Sequence, residues 1–358
     1  MSIDFINEPI RIMIVDDSAV IRNFLFKALE TTPEIKIVAS AANGKIALDY
    51  LKKFELEIVL LDIEMPIMDG LSALPELRKI KPDLQIIMVS SLTQENSEFT
   101  IKALNSGASD FILKPSSHNS NSLITFNKEL IEKIKALGGA YRRHTAVKLK
   151  PNINRYVENP TKAAHTIKKK FSAIAIASST GGPQALLKLL YGFKKEFIKN
   201  FPIFITQHMP PFFTQQLAMS IAKSTGLVCK EAQNDEKVES GIIYIAPGGY
   251  HMLAEKKDSN IYINLSDGPA ENFCKPAADP MLRSLTTIYQ KNLLILVLTG
   301  MGKDGLEGSK IAVKQGATII AQDEASSIVW GMPGAIAAEG IADSILPIDQ
   351  IAKHIQEL

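Results

Sequence analysis

Cysteine is nearly absent from this 358-residue chain, which holds only Cys229 and Cys274. Two cysteines make neither a disulfide framework nor a zinc cluster, so buried free thiols are expected. Tryptophan is rarer still, with Trp330 alone. No stretch reaches the ~18 uninterrupted apolar residues of a membrane helix. The first nine residues (Met-Ser-Ile-Asp-Phe-Ile-Asn-Glu-Pro) have no basic start and no apolar run, which argues against a signal peptide. A cytoplasmic protein without direct membrane insertion is expected. Net charge is also small, +2, but unevenly spread. Residues 141–170 carry nine Lys/Arg against the single acid Glu158, a balance of +8 that leaves the rest of the chain at −6.

The length suits two domains. In the first, apolar runs at 11–15, 36–40, 58–61, 86–89 and 110–113 alternate with helical patterns, which predicts a parallel sheet covered by helices on both faces. Polar residues gather where these strands end: Asp16 and Asp17, Asp62, Ser90 and Lys114. The carboxyl ends of strands form the ligand crevice of such sheets. Three converging carboxylates repel one another unless a hard cation, Mg²⁺ above all, sits among them. A lysine and a hydroxyl beside them suit a phosphoryl group. An isolated aspartate at a strand end is more often a helix cap, but five such polar ends on one sheet favour a site.

A last helix with Leu130, Ile131, Ile134 and Leu137 on one face is expected to stop at Gly138-Gly139. From 141 to 170 the prolines, asparagines and cations read as a mostly irregular basic linker. No zinc-finger spacing, helix-turn-helix pattern or aromatic-rich sheet motif accompanies that charge, so no nucleic-acid partner is expected. Docking of the strap on an acidic partner is the lesser alternative.

The second half opens with an apolar strand, 171–177, that runs into Ser178-Ser179-Thr180-Gly181-Gly182-Pro183 and a leucine-rich helix. A serine there lies at a strand end beside a helix N-terminus, where free N–H groups and the dipole stabilise an oxyanion. A phosphate-binding turn is the alternative, and both serines are eligible. The strand 201–207 ends in His208-Met209-Pro210-Pro211, and the most apolar strand, 293–298, is placed centrally. It ends in Thr299-Gly300-Met301-Gly302-Lys303-Asp304-Gly305, whose glycines require a sharp turn or a very close approach. Strands at 242–246, 250–254 and 261–264 suggest an antiparallel extension, followed by a helix at 281–289, a strand at 318–322, and a short strand and helix after Leu346. Ser179, His208 and Asp304 thus follow three strands of one sheet, as nucleophile, base and orienting carboxylate. The expected fold is α/β throughout: two doubly wound domains, a five-stranded flavodoxin-like parallel sheet and a larger mainly parallel one.

Two resemblances emerge from these residues. Val15-Asp16-Asp17-Ser18, the run Leu61-Asp62-Ile63-Glu64-Met65-Pro66 with Asp69-Gly70, and Leu113-Lys114-Pro115 resemble the receiver domain of two-component response regulators. That resemblance implies Asp62 as phosphoryl acceptor from a chemotaxis histidine kinase and Asp16, Asp17 and Asp62 as the Mg²⁺ ligands. It also implies Ser90, Phe111 and Lys114 as switch residues, with Phe111 lacking the tyrosine hydroxyl that many receivers have. The motifs Ala177-Ser178-Ser179-Thr180-Gly181-Gly182, Gln207-His208-Met209-Pro210-Pro211, Thr299 to Gly305 as written above and Trp330-Gly331-Met332-Pro333 resemble the protein-glutamate methylesterase/glutaminase (CheB) family of bacterial chemotaxis. That family usually has Gly-Ala before the nucleophile, where this chain has Ala177-Ser178, and alignment to Ser-Thr-Gly-Gly selects Ser179. The resemblance implies hydrolysis of glutamate methyl esters on methyl-accepting chemotaxis receptors, with receptor glutamine deamidation as a second activity. It also implies an oxyanion region at Thr180 and Met301 and no cofactor in the esterase domain. The expected limits are a receiver over 1–140, a basic linker over 141–170 and an esterase domain over 171–358. The rival readings are a response regulator with a non-catalytic binding domain, and an esterase serving a receptor outside chemotaxis.

Overall fold

The computed structural model describes residues 8–115, 120–148 and 171–358. Its first half runs β1 (Ile10–Val15), α1 (Ala19–Leu29), β2 (Ile35–Ala41), α2 (Gly44–Leu51), β3 (Ile58–Asp62), α3 (Gly70–Ile80), β4 (Gln85–Ser90), α4 (Gln94–Asn105), β5 (Asp110–Leu113) and α5 (Ser120–Lys148). The five strands are parallel, in the order β2-β1-β3-β4-β5. β3 is buried along its whole length, as its unbroken apolar run demands of a strand covered on both faces. Side chains of Ser18, Asn43, Asp69 and Thr93 cap α1 to α4 by accepting from backbone N–H groups.

The second half runs β6 (Ala173–Ser178), α6 (Gly182–Tyr191), α7 (Lys195–Ile198), β7 (Ile203–Gln207), α8 (Phe213–Thr225), β8 (Val228–Glu231), β9 (Ile242–Ile245), β10 (His251–Lys257) and β11 (Asn260–Ser266). It continues with α9 (Ala278–Tyr289), β12 (Leu293–Val297), α10 (Leu306–Lys314), β13 (Thr318–Gln322), α11 (Met332–Ala338), β14 (Ser344–Leu346) and α12 (Ile348–Glu357). Seven parallel strands form one sheet, β14-β13-β12-β6-β7-β9-β8. The alternation in β6 sorts its faces. Ala173, Ala175 and Ala177 join the core with Met281 and Leu282 of α9, while Ile174 and Ile176 join the opposite core with Leu186, Leu189 and Phe213. The small alanine face lets α9 lie close to the sheet beneath the site.

Three local expectations are corrected. α5 does not stop at Gly138-Gly139 but runs to Lys148, so the segment from 141 begins as helix. Gly138 marks a close approach: a Cβ there would lie 2.6 Å from the Ile10 side chain. Arg142, on the continued helix, donates two hydrogen bonds of 2.7 and 2.9 Å to the buried Glu57 and thereby ties that turn to the receiver. Residues 149–170, the rest of the expected linker, lie outside the described residues. The segment 242–245 belongs to the parallel sheet, where it pairs with β7 and with β8, a short strand the sequence reading passed over. The antiparallel pair is β10 and β11, which form their own two-stranded sheet.

Candidate functional site

Adjacent strands β12, β6 and β7 end in the Asp304 loop, the Ser179 turn and His208, so the topology brings the three expected residues to one edge of the sheet. Two glycines allow the turns to meet. Gly300 packs so closely that a Cβ would lie 2.8 Å from Ser179 Cβ and 2.4 Å from Met332 Sδ. Gly181 has φ of 76°, the left-handed region that glycine enters without strain, and starts α6 with no side-chain cap. Ser179 donates its backbone N–H to Thr299 O at 3.0 Å, tying the turn to the glycine-rich loop.

The two serines separate by burial. Ser178 is completely buried and donates its hydroxyl to Gln207 Oε1 at 2.7 Å. Gln207 in turn donates to the carbonyls of Ser179, 2.9 Å, and His208, 3.3 Å. Ser178 therefore braces the two turns from below. Ser179 is half-buried, and among the described residues none hydrogen-bonds its hydroxyl.

His208 Nε2 lies 2.7 Å from Asp304 Oδ2. Asp304 is 2% exposed, and its oxygens also accept from the N–H groups of Ala278 (2.5 Å), Asp279 (3.1 Å) and Gly305 (2.9 Å) and from Asn272 Nδ2 (3.1 Å). Burial would push this carboxyl up, but the hydrogen bond and charge of His208, with the backbone donors, hold it below its ordinary value. Burial likewise disfavours a charged imidazole, yet the hydrogen bonds to Asp304 and then Cys274 outweigh it and raise His208 to about 10. Cys274 Sγ lies 3.4 Å from His208 Nδ1, a neighbour the sequence reading did not pick out. Its spacing from His208 in the chain gave no signal.

Of the two expected oxyanion residues, Thr180 follows Ser179 in the chain and Met301 follows Gly300, which packs on Ser179. Among the described residues, none accepts a hydrogen bond from the backbone N–H of Thr180 or Met301, which leaves both donors open. The Thr180 hydroxyl is engaged elsewhere: it donates 2.5 Å to Asp110 Oδ2 of the receiver. Lys133 holds the same oxygen at 2.7 Å. The receiver thus reaches the Ser179-Thr180 turn itself. Around that contact, the Phe111 ring stacks on Phe213 with centroids 4.7 Å apart and planes 4° apart. Gln184 of α6 donates to Ala108 O at 2.6 Å, and Asn105 to Ser220 Oγ at 2.8 Å.

In the receiver, Lys114 Nζ lies 2.9 Å from Asp16 and 2.8 Å from Asp62. Asp16, Asp17 and Asp62 each offer an oxygen, all within 4.8 Å of one another, an all-oxygen set fitting a hard divalent cation. Burial raises the Asp62 carboxyl to about 6 against the pull of Lys114, while Asp62 and Asp16 together keep Lys114 charged despite its own burial. Ser90 is buried at the neighbouring strand end and accepts from Thr100 Oγ1 at 3.0 Å. Among the described residues, no helix is long and apolar enough to cross a membrane.

The family model described as CheB methylesterase matches residues 174–355, and that described as Response regulator receiver domain matches residues 12–124. A Rhodospirillum rubrum protein named Protein-glutamate methylesterase/protein-glutamine glutaminase 1 is 44% identical over 365 residues, covering 97% of this chain and 94% of its own. A Caulobacter vibrioides protein named Protein-glutamate methylesterase/protein-glutamine glutaminase 2 is 44% identical over 348 residues, covering 96% and 97%. The crystal structure of the Thermotoga maritima CheB methylesterase catalytic domain matches with a TM-score of 0.51 and 37% identity, over 52% of this chain and 98% of that one.

Proposed function

The chain belongs to the protein-glutamate methylesterase/protein-glutamine glutaminase family, with a receiver domain ahead of its CheB methylesterase domain, and from that premise we propose a mechanism and its control. Ser179 is the nucleophile, His208 the general base and Asp304 the carboxylate that orients the imidazole. The observation that carries this reading is the 2.7 Å contact of His208 with an Asp304 carboxylate fixed by four further donors, beside the half-buried Ser179 turn. Asp304 takes the Nε2–H, so Nδ1 bears the lone pair that accepts the Ser179 proton. Oγ then attacks the glutamyl ester carbonyl, and the N–H groups of Thr180 and Met301 bind the developing oxyanion. The imidazolium returns its proton to the departing methoxide, and a water activated by His208 releases the glutamate. A glutamine side chain follows the same path with ammonia leaving.

The substrate is a methylated chemotaxis receptor, reached from the cytoplasm. A chemotaxis histidine kinase supplies the phosphoryl group to Asp62. Asp16, Asp17 and Asp62 would hold Mg²⁺, which offsets negative charge on that group, while Lys114 contacts it and Ser90 and Phe111 relay its arrival. The docked receiver, through Asp110 on Thr180 and Phe111 on Phe213, limits access to the cleft. Its limits are taken as residues 1–140, the linker as 141–170, with its first turns helical, and the esterase domain as 171–358.

Methanol release from methylated receptor membranes tests the nucleophile. Ser179→Ala abolishes it with the fold intact, and Ser178→Ala keeps activity within about tenfold, the scale of one lost neutral hydrogen bond. Equal loss in both variants would remove the assignment.

A further inference from the structure

We propose that Cys274 is a positioning residue that parks the catalytic imidazole: in the receiver-docked chain its sulfur occupies the lone pair of His208 that Ser179 must use. The inference rests on the Ser179–His208–Asp304 reading above. His208 Nε2 is committed to Asp304 at 2.7 Å, so Nδ1 is the ring's one basic position, and Cys274 Sγ faces it at 3.4 Å. A neutral imidazole has one acceptor nitrogen, so a thiol S–H and a serine O–H compete for it. In this structure the thiol holds it, and among the described residues none hydrogen-bonds the Ser179 hydroxyl.

The groups facing the imidazole give the same direction. Asp304 approaches from the loop after β12 and Cys274 from the loop between β11 and α9, while Asp279, at the start of α9, donates its backbone N–H to Asp304. Neutral, the ring accepts the thiol S–H at Nδ1; protonated, as the rise to about 10 favours at neutral pH, it donates Nδ1–H to the sulfur, so in neither form is Nδ1 open to Ser179.

The loop that carries Cys274 is held in an unusual shape. Asn272 and Phe273 both have positive φ, 51° and 64°, a region non-glycine residues rarely adopt and that persists only where the surroundings hold it. Asn272 is held by Asp279 and Asp304 at 3.0 and 3.1 Å, and Glu271 and Cys274 close the turn with backbone bonds of 2.8 and 3.2 Å. Phe273 is 93% exposed, yet Lys128 on α5 of the receiver lies 4.7 Å over its ring. The receiver therefore touches the loop one residue from the sulfur, and its departure removes that tie.

The test uses the full-length chain on methylated receptor membranes, with and without acetyl phosphate, over pH 5 to 9. Ser179→Ala is the control for the nucleophile. Cys274→Ala is expected to raise the unphosphorylated rate about tenfold for each pKa unit the imidazole falls, and to move the acid limb of kcat/KM to lower pH. Cys274→Ser, which restores a donor to Nδ1, returns both toward the unsubstituted chain, and Lys128→Ala shifts them in the direction of Cys274→Ala. With acetyl phosphate the gain of Cys274→Ala over the unsubstituted chain is expected to be smaller than without it. An unchanged pH limb in Cys274→Ala, or equal losses with and without phosphodonor, overturns the proposal while leaving the Ser179 reading intact. An active Ser179→Ala beside a dead Cys274→Ala overturns both, and makes Cys274 the nucleophile.

Discussion

Asp304 shows at the residue scale how much of this site depends on one buried carboxylate. Five donors converge on it, and a neutral amide cannot satisfy them all. Asp304→Asn is expected to lower kcat for methanol release by roughly 10³–10⁴-fold, because the imidazole loses its tautomer and its counter-charge. Loss of the carboxylate also leaves burial opposed only by Cys274, so an NMR titration should find the His208 ring below about 10. Asp62 makes an opposite case. Its folded value of about 6 lies above the ordinary 3.8. As pH rises between those values the unfolded chain gives up its proton first, so the folded state loses stability and does not regain it above pH 6. Asp62→Asn in chelator should therefore stabilise the chain by on the order of 1–2 kcal/mol at pH 8, allowing for partial solvation, and by nothing near pH 4. Equal thermal shifts at both pH values would contradict this. Of these residues, the sequence marked Ser179, His208, Asp304 and Asp62 by their strand-end positions. Strand-end position alone left Ser178 and Ser179 equally eligible, and the resemblance to the Ser-Thr-Gly-Gly motif selected Ser179; what only the structure adds is that the Ser178 hydroxyl meets Gln207 under the sheet.

At the scale of elements, the misread glycines of α5 are instructive. Helix propensity alone makes Gly138-Gly139 a stop, yet the helix passes through because Gly138 packs on Ile10 and because Arg142 beyond it reaches Glu57. Packing overrides a penalty of about 1 kcal/mol per glycine. The two positions should then respond differently. At Gly139 a Cβ would meet only Arg143 Nη1 at 3.4 Å, so Gly139→Ala should raise stability by about 0.5–1 kcal/mol in urea unfolding. At Gly138 the 2.6 Å approach to Ile10 cancels that gain. Gly300 is the catalytic counterpart: Gly300→Ala forces the loop off Ser179 and should cost activity far more than stability. Strand ends and glycine-rich loops were legible because their residue types are restricted locally. The edge strand β8 was not, since its Val-Cys-Lys-Glu run is half exposed and shows neither clean alternation nor an apolar stretch.

The whole molecule is a receiver seated on the Thr180 turn and the start of α8 of the esterase domain, through Asp110 and Phe111. The sequence disclosed both domains through motifs that repeat across a family, but not their contact. Asp110 and Phe111 lie far in the chain from Thr180 and Phe213, and each is a plausible core or cap residue by itself. On the proposed occlusion, Phe111→Ala is expected to raise the unphosphorylated rate of methanol release by loosening the stack on Phe213. The central claim is that Ser179 hydrolyses receptor methyl esters and that phosphorylation of Asp62 uncovers it. The most direct measurement is methanol release from methylated receptor membranes by the full-length chain, with and without acetyl phosphate, alongside Ser179→Ala and Asp62→Asn. The account predicts release that acetyl phosphate accelerates, no release from Ser179→Ala under either condition, and a basal rate from Asp62→Asn that the phosphodonor leaves unchanged. Release by Ser179→Ala at the rate of the unsubstituted chain, or full acceleration of Asp62→Asn, would contradict it.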